Sequence, residues 1–180
     1  MSPPIIERPV RIVLTGFMGS GKSTVGPIVA ERLGWRFIDV DDVIEAEAGT
    51  TIAKIFAEKG ESVFRDLEHA TIARLASAEK LVLALGGGAI EREGTRNLLL
   101  NSPGTILVHL EVALETTLTR CSGTESMRPV LADHANLKAR YQRRLPLYRA
   151  AHVSIRADDK TPPEVSDAIL KAAGLNQQTV

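Results

Sequence analysis

Five short apolar runs punctuate the chain, at Val10–Thr15, Phe37–Val40, Leu81–Leu85, Thr105–Leu110 and His152–Ile155, with helical pattern between them. Leu81-Val82-Leu83-Ala84-Leu85 is apolar at every position instead of alternating, as a strand covered on both faces requires. Strands that alternate with helices predict an α/β fold around a parallel, doubly covered sheet. Ser23–Leu33 reads as a helix ended by Gly34, Thr51–Lys59 as a short helix stopped by Gly60, and Glu61–Ala78 as a longer amphipathic one. Ala113–Cys121 and Leu137–Ala150 follow, the second carrying Pro146, which is expected to kink or interrupt it. The last helix opens on Thr161-Pro162-Pro163-Glu164, a capping box with prolines in its first turn.

The 180 residues match one domain at roughly 100–200 residues per domain, so residues 1–180 are expected to fold as a unit. No apolar run approaches the roughly 18 residues of a membrane helix, and no membrane partner is expected. The 22 basic and 22 acidic side chains cancel, and only seven residues are aromatic. That leaves neither a cationic field nor stacking platforms for nucleic acid. One cysteine, Cys121, excludes an internal disulfide framework, and the N-terminus has no secretory pattern, so a cytoplasmic monomer is the expectation. Locally the charge is uneven: Asp39–Glu68 holds nine acidic and three basic residues, Arg120–Arg149 seven basic and two acidic. A solvated helix face explains most such runs; placing metal on one side of a site and anions on the other is the alternative.

Gly16-Phe17-Met18-Gly19-Ser20-Gly21-Lys22-Ser23 matches GxxxxGK[ST], directly after an apolar run and directly before a helical one. Its glycines let the backbone wrap an anion, amides from Gly19 to Thr24 face phosphates at a helix N-terminus, Lys22 reaches the β/γ-phosphates, and the Ser23 hydroxyl can ligate Mg²⁺. Such a loop alone does not separate kinases from other nucleotide enzymes.

Three further groups narrow the choice. Phe37-Ile38-Asp39-Val40-Asp41-Asp42 puts carboxylates at a strand end, where open α/β sheets bind ligands. Asp39 and Asp41 point the same way if the strand continues that far, one to orient and deprotonate an acceptor hydroxyl and one to hold a metal-bound water. The plain alternative is that Asp41 or Asp42 caps the next helix. Glu61 and Glu68 stand at i−4 and i+3 of Arg65, where they can fix its guanidinium. Gly86-Gly87-Gly88 ends the third strand with accessible backbone amides. Arg128-Pro129-Val130-Leu131 lies in Ser122–His134, a candidate lid, and Arg144-Leu145-Pro146-Leu147-Tyr148 lies beyond it. Arginines converging near a phosphate loop suit a moving phosphoryl group and an anionic acceptor. Arg140, Arg143 and Arg149 read as solvated.

Taken together, FMGSGKSTVG at Phe17–Gly26, DxD at Asp39 and Asp41, FRxxE at Phe64–Glu68, the glycines at 86–88, RPxL at Arg128–Leu131 and RxPLY at Arg144–Tyr148 resemble the shikimate kinases. The resemblance spans about residues 10–170. It implies a nucleoside-monophosphate-kinase-like P-loop fold with a five-stranded parallel sheet of order 2-3-1-4-5 and a mobile lid at about 122–134. It also implies transfer of the ATP γ-phosphoryl group to the 3-hydroxyl of shikimate, with Mg²⁺ as cofactor. The implied catalytic residues are Lys22, Asp41 and Arg128. The implied ATP site comprises Gly19, Ser20, Gly21, Lys22, Ser23, Thr24, Arg120 and Arg128, with Arg120 stacking on adenine. The implied acceptor site comprises Asp41, Arg65, Gly87, Gly88 and Arg144, with Arg65 and Arg144 on the carboxylate. Ser23, and Asp39 through water, would hold the metal. Another small-molecule kinase, for gluconate or a nucleotide, would not need paired arginines, and a silent nucleotide-binding homologue would not need Lys22 and Asp41. His69, His109, His134 and His152 match no metal spacing and read as structural, on helix, strand, loop and strand respectively.

Overall fold

A computed structural model of the chain describes residues 8–121 and 134–175. Five parallel strands, β1 (Arg11–Thr15), β2 (Arg36–Asp39), β3 (Leu81–Ala84), β4 (Thr105–Glu111) and β5 (Val153–Arg156), form one sheet of order 2-3-1-4-5, the order that the resemblance implies. The helices are α1 (Lys22–Leu33), α2 (Val40–Ala48), α3 (Ile52–Leu75), α4 (Glu93–Asn101), α5 (Leu114–Cys121), α6 (His134–Arg149) and α7 (Pro162–Ala172).

Strand alternation divides the core into two. Ile12, Leu14, Val82, Ile106 and Val108 face α1 and α7, where they meet Val25, Val29, Val165 and Ile169. Val13, Leu81, Leu83 and Leu107 face the other way, onto Ile44, Phe64, Ile72, Leu99 and Tyr148. β1 lies between β3 and β4, each paired to it in parallel. The loops after β1 and β3 therefore leave the sheet side by side, at its ligand-binding edge. Close packing sets α1 on β2: a Cβ on Gly26 would collide with the Phe37 ring.

The structure corrects several expected boundaries. Val40 opens α2 instead of ending β2, His134 opens a helix instead of lying in a loop, and His152 precedes β5. Gly60 (φ 84°, ψ 166°) breaks α3 as expected. Pro146, expected to kink or interrupt α6, lies inside a helix that runs on to Arg149. Leu137, Arg144 and Tyr148 are buried at i, i+7 and i+11, so one inward face holds the helix on both sides of the proline despite its missing N–H. The Thr161–Glu164 capping box of α7 is formed in both directions.

Candidate active site

The phosphate loop connects β1 to α1. Gly19 and Gly21 have φ of 72° and 97°, in the left-handed region open to glycine, and Gly21 is the N-cap of α1. Gly21 offers no side-chain cap, so the N-terminus of α1 presents backbone to the loop, as at helix ends that receive anions. The Lys22 ammonium lies along the loop and donates to the carbonyls of Gly16 (2.8 Å) and Phe17 (3.1 Å) and to Ser20 Oγ (3.2 Å). Ser23 and Thr24 are exposed in the first turn. A cavity of about 510 Å³ runs from this loop to Asp39, Asp41 and the Gly86–Gly87 turn.

The two aspartates line one cavity, but not as alternate positions of one strand. β2 ends at Asp39, whose side chain caps α2 by accepting from the Asp41 N–H at 3.0 Å; the cap is therefore neither Asp41 nor Asp42. Asp39 Oδ2 also accepts from the Ser23 hydroxyl at 3.0 Å, so this carboxylate joins the phosphate helix to α2. Asp41 sits one helical step further, and its Oδ1 is buried with no partner among the described residues. Burial first, then the charge of Asp39, pushes its pKa up to about 6 against the pull of Lys22 and Arg65.

Arg65 is held by its own helix. Its guanidinium donates to Glu68 at 2.7 Å and to Glu61 at 3.3 Å. Glu68 is buried, 2% exposed, and only one of its oxygens is spent on Arg65; Oε1 is unpartnered among the described residues. A Cβ on Gly86 would stand 2.9 Å from Asp41 Oδ1 and 3.0 Å from Glu68 Oε1, so both orphaned oxygens crowd this glycine. Burial, reinforced by Asp41, raises the Glu68 pKa to about 7 in spite of Arg65 and Arg144. The sequence assigned Glu68 only to fixing Arg65; its second oxygen beside Asp41 had no sequence signal.

The glycine turn brings the two arginines together. A Cβ on Gly88 would collide with the Arg65 guanidinium, and one on Gly87 would stand 3.5 Å from Arg144 Nη1. Neither arginine lines the 510 Å³ cavity; they flank the turn that closes it. Tyr148, four residues after Arg144 on the same helix face, donates its hydroxyl to the Gly87 carbonyl at 2.5 Å. Burial raises its pKa to about 12, so the proton stays. The i+4 spacing within RxPLY could have predicted this prop.

On the other side of the phosphate loop, Arg120 donates to the carbonyls of Gly19 (3.1 Å) and Ala157 (2.9 Å), beside a second cavity of about 360 Å³ that also includes Thr24, Lys160 and Pro162. Cys121 is buried and not in a disulfide. Arg128 and the expected lid, apart from His134 at the start of α6, lie outside the described residues. Arg143 and Arg149 are exposed as expected, although each pairs with a carboxylate.

Among the described residues no cluster of three or more histidine, cysteine or acidic side chains gathers as a metal site. The hydroxyl of Ser23 and the carboxylate of Asp39, 3.0 Å apart, nevertheless fit Mg²⁺. That ion takes one or two protein oxygens and completes its octahedron with waters and phosphates. Three of the histidines have structural partners: His69 with Thr95, His109 with Ser154 and stacked on Tyr148, and His152 with Leu107 and Leu100; the side chain of His134 lies outside the described residues.

A glycine-lined phosphate loop with Lys22 and Ser23, facing an orphaned carboxylate and two arginines across one sheet edge, defines a P-loop kinase of small molecules. The shikimate kinase family model matches residues 18–173. A shikimate kinase of Persephonella marina is 43% identical over 161 residues, covering 88% of this chain and 96% of the relative; one from Salinibacter ruber is 42% identical, covering 83% and 78%. The structure of Acinetobacter baumannii shikimate kinase in complex with shikimate superimposes with a TM-score of 0.86 at 36% identity, covering 97% of this chain and 98% of that one. The chain belongs to the shikimate kinase family and is an ATP-dependent kinase.

Proposed function

We propose that the protein transfers the γ-phosphoryl group of ATP to the 3-hydroxyl of shikimate, working as a cytoplasmic monomer, a single P-loop kinase domain. The observation that carries this reading is the pair of guanidiniums, Arg65 and Arg144, laid against the Gly87–Gly88 turn: a small cyclic acid needs a bidentate cationic grip, and a neutral polyol does not.

In this reading the phosphates lie on the loop amides from Gly19 to Thr24 and Arg120 packs on adenine. Ser23, and Asp39 through water, hold Mg²⁺, which when bound offsets charge on the β- and γ-phosphates. Asp41 takes the proton of the acceptor hydroxyl on its unpartnered Oδ1 as that oxygen attacks the γ-phosphorus and the bond to the β–γ bridging oxygen breaks, releasing ADP. The Lys22 ammonium leaves the loop carbonyls to follow the moving phosphoryl group. Arg128, from the lid at about 122–134, joins it there. Arg65, Arg144 and the backbone of Gly87 and Gly88 hold the acceptor.

The test is shikimate-dependent ADP release. Arg65→Ala and Arg144→Ala should each raise KM for shikimate by about 30-fold or more, as the loss of one arm of a buried charge pair costs about 2–5 kcal/mol, while KM for ATP stays put. A shikimate ester phosphorylated as efficiently as the acid would overturn the assignment.

A further inference from the structure

Arg144 is nearly as buried as the sheet, 6% exposed, yet it shares its counter-ion. Glu91 accepts from Arg144 Nη2 through Oε2 at 2.9 Å. Its other oxygen, Oε1, is spent on Arg143, from which it accepts twice, at 3.0 Å from Nε and 2.7 Å from Nη2. Glu91 therefore cannot form the two-pronged pair with Arg144 that would saturate an edge of the guanidinium. The consequence is visible in the side chain: Arg144 Nε is buried with no acceptor among the described residues. Arg65, by contrast, has two carboxylates to itself.

Glu91 is also well placed to be stiff. It ends the short 3₁₀ turn Ala89–Glu91 that directly follows the three glycines, and its N–H donates to the Gly88 carbonyl at 3.0 Å. Arg96 of α4 donates at 2.8 Å to the carbonyls of both Ile90 and Glu91. The next residue, Arg92, donates to the Arg65 carbonyl at 3.2 Å. One seven-residue segment, 86–92, thus touches both arginines.

We propose that Glu91 is a positioning residue for the acceptor's carboxylate: it holds Arg144 through Nη2 alone, at a set distance from Arg65, so that Nη1 stays turned to Gly87, where the incoming anion is received. This rests on the assignment of Arg144 to that carboxylate. The hydrogen bonds and ion pairs of Glu91 among the described residues go to Arg143, Arg144, Arg96 and Gly88, so its effect belongs in acceptor affinity and not in the chemical step.

The experiment is a steady-state comparison of Glu91→Ala, Glu91→Gln, Arg144→Ala and the double variant Glu91→Ala/Arg144→Ala, with melting temperature recorded for each. Glu91→Ala should raise KM for shikimate about tenfold, the cost of one charge-assisted bond, with kcat and KM for ATP within about twofold. Glu91→Gln keeps an oxygen within reach of Arg144 but loses the charge, so it should raise KM for shikimate by about threefold, and that intermediate rise carries the test if the alanine variant does not fold. In the Arg144→Ala background, Glu91→Ala should add nothing, because it acts only through that side chain. A KM for shikimate that falls or stays unchanged in both Glu91 variants overturns the proposal, as does a full additive penalty in the double variant. If Arg144→Ala itself leaves KM for shikimate unchanged, the carboxylate assignment fails and the role of Glu91 falls with it. A normal Arg144 effect with silent Glu91 variants sinks the positioning role alone.

Discussion

Replacing Gly88 by alanine should disable the acceptor site without substituting any charged residue. Gly88 has φ −94° and ψ −8°, which any residue adopts, so backbone strain contributes nothing. The added methyl would overlap the Arg65 guanidinium, whose Cζ and Nη1 would lie 2.6 and 2.8 Å away. Ordinary carbon contacts lie at about 3.5–4.0 Å, so the guanidinium must retreat by about 1 Å. Its 2.7 Å bond to Glu68 does not survive such a shift in the same geometry, and Glu68, 2% exposed, is shielded from bulk solvent. Breaking one side of a buried pair costs about 3–5 kcal/mol; if half of that falls on the bound state, KM for shikimate rises about tenfold to fiftyfold. The assay is coupled ADP release with shikimate varied, alongside thermal unfolding of the empty enzyme. Gly94→Ala provides the control: there the new methyl meets only His69 Cε1 at 3.7 Å, inside α4, where alanine should be neutral or stabilising by up to about 1 kcal/mol. A Gly88→Ala enzyme with wild-type KM for shikimate would refute the steric argument and remove Arg65 from the acceptor site.

Other expectations are simpler. Lys22→Ala should reduce turnover by about 10²–10³-fold or more, because the ammonium acts on charge that develops during transfer; near-normal kcat would remove that role. Asp41→Asn should collapse the transfer rate while the affinity for ATP changes little, and a larger effect on ATP binding than on transfer would exchange its role with that of Asp39. His109 should make stability pH-dependent: burial first lowers its pKa to about 4 from 6.5, so its contribution is complete above pH 6.5 and lost as the pH falls towards 4, about 3 kcal/mol in all. Denaturation of wild type and His109→Phe at pH 7 and pH 4.5 checks this, since only the wild type should lose that increment.

The fold was legible where apolar runs are contiguous. All five strands lie within a residue or two of the runs; β3 is the plainest, since it is buried at every position and a strand covered on both faces has no polar position to blur its ends. The errors fall where a side chain overrides the pattern. Asp39 ended β2 early because its carboxylate caps the following helix and also takes the Ser23 hydroxyl; apolar Val40 looked like more strand. The 3₁₀ turn Ala89–Glu91 and α4 left no clear period, since α4 has nine residues and only Thr95 and Leu99 are buried. Pro146 misled because the rule it breaks is local, whereas the burial that overrules it comes from residues up to nine positions away.

The site divides along the same line between near and far. The phosphate loop and the Arg65 clamp were readable because each is built within eight consecutive residues, and their partners are fixed by helix or loop spacing. The arrangement around Arg144 was not, because Glu91 lies 53 residues away and becomes a neighbour only through the sheet order, which sets the turn after β3 against α6. This also explains the uneven charge. The acidic stretch 39–68 contains the partners of its own Arg65, whereas the basic stretch borrows carboxylates from elsewhere, Glu91 for Arg143 and Arg144 and Glu111 for Arg149. Two arginines on one borrowed carboxylate leave a surplus of positive charge where Arg144 meets Gly87, beside the Asp41 and Glu68 oxygens that crowd Gly86. On the proposed function, the carboxylate of an anionic acceptor would meet Arg144 and Arg65 beside Gly87 and Gly88, which would leave its hydroxyl towards Asp41 and the phosphate loop. On that reading the two charged stretches of the sequence would orient the acceptor before any base acts on it.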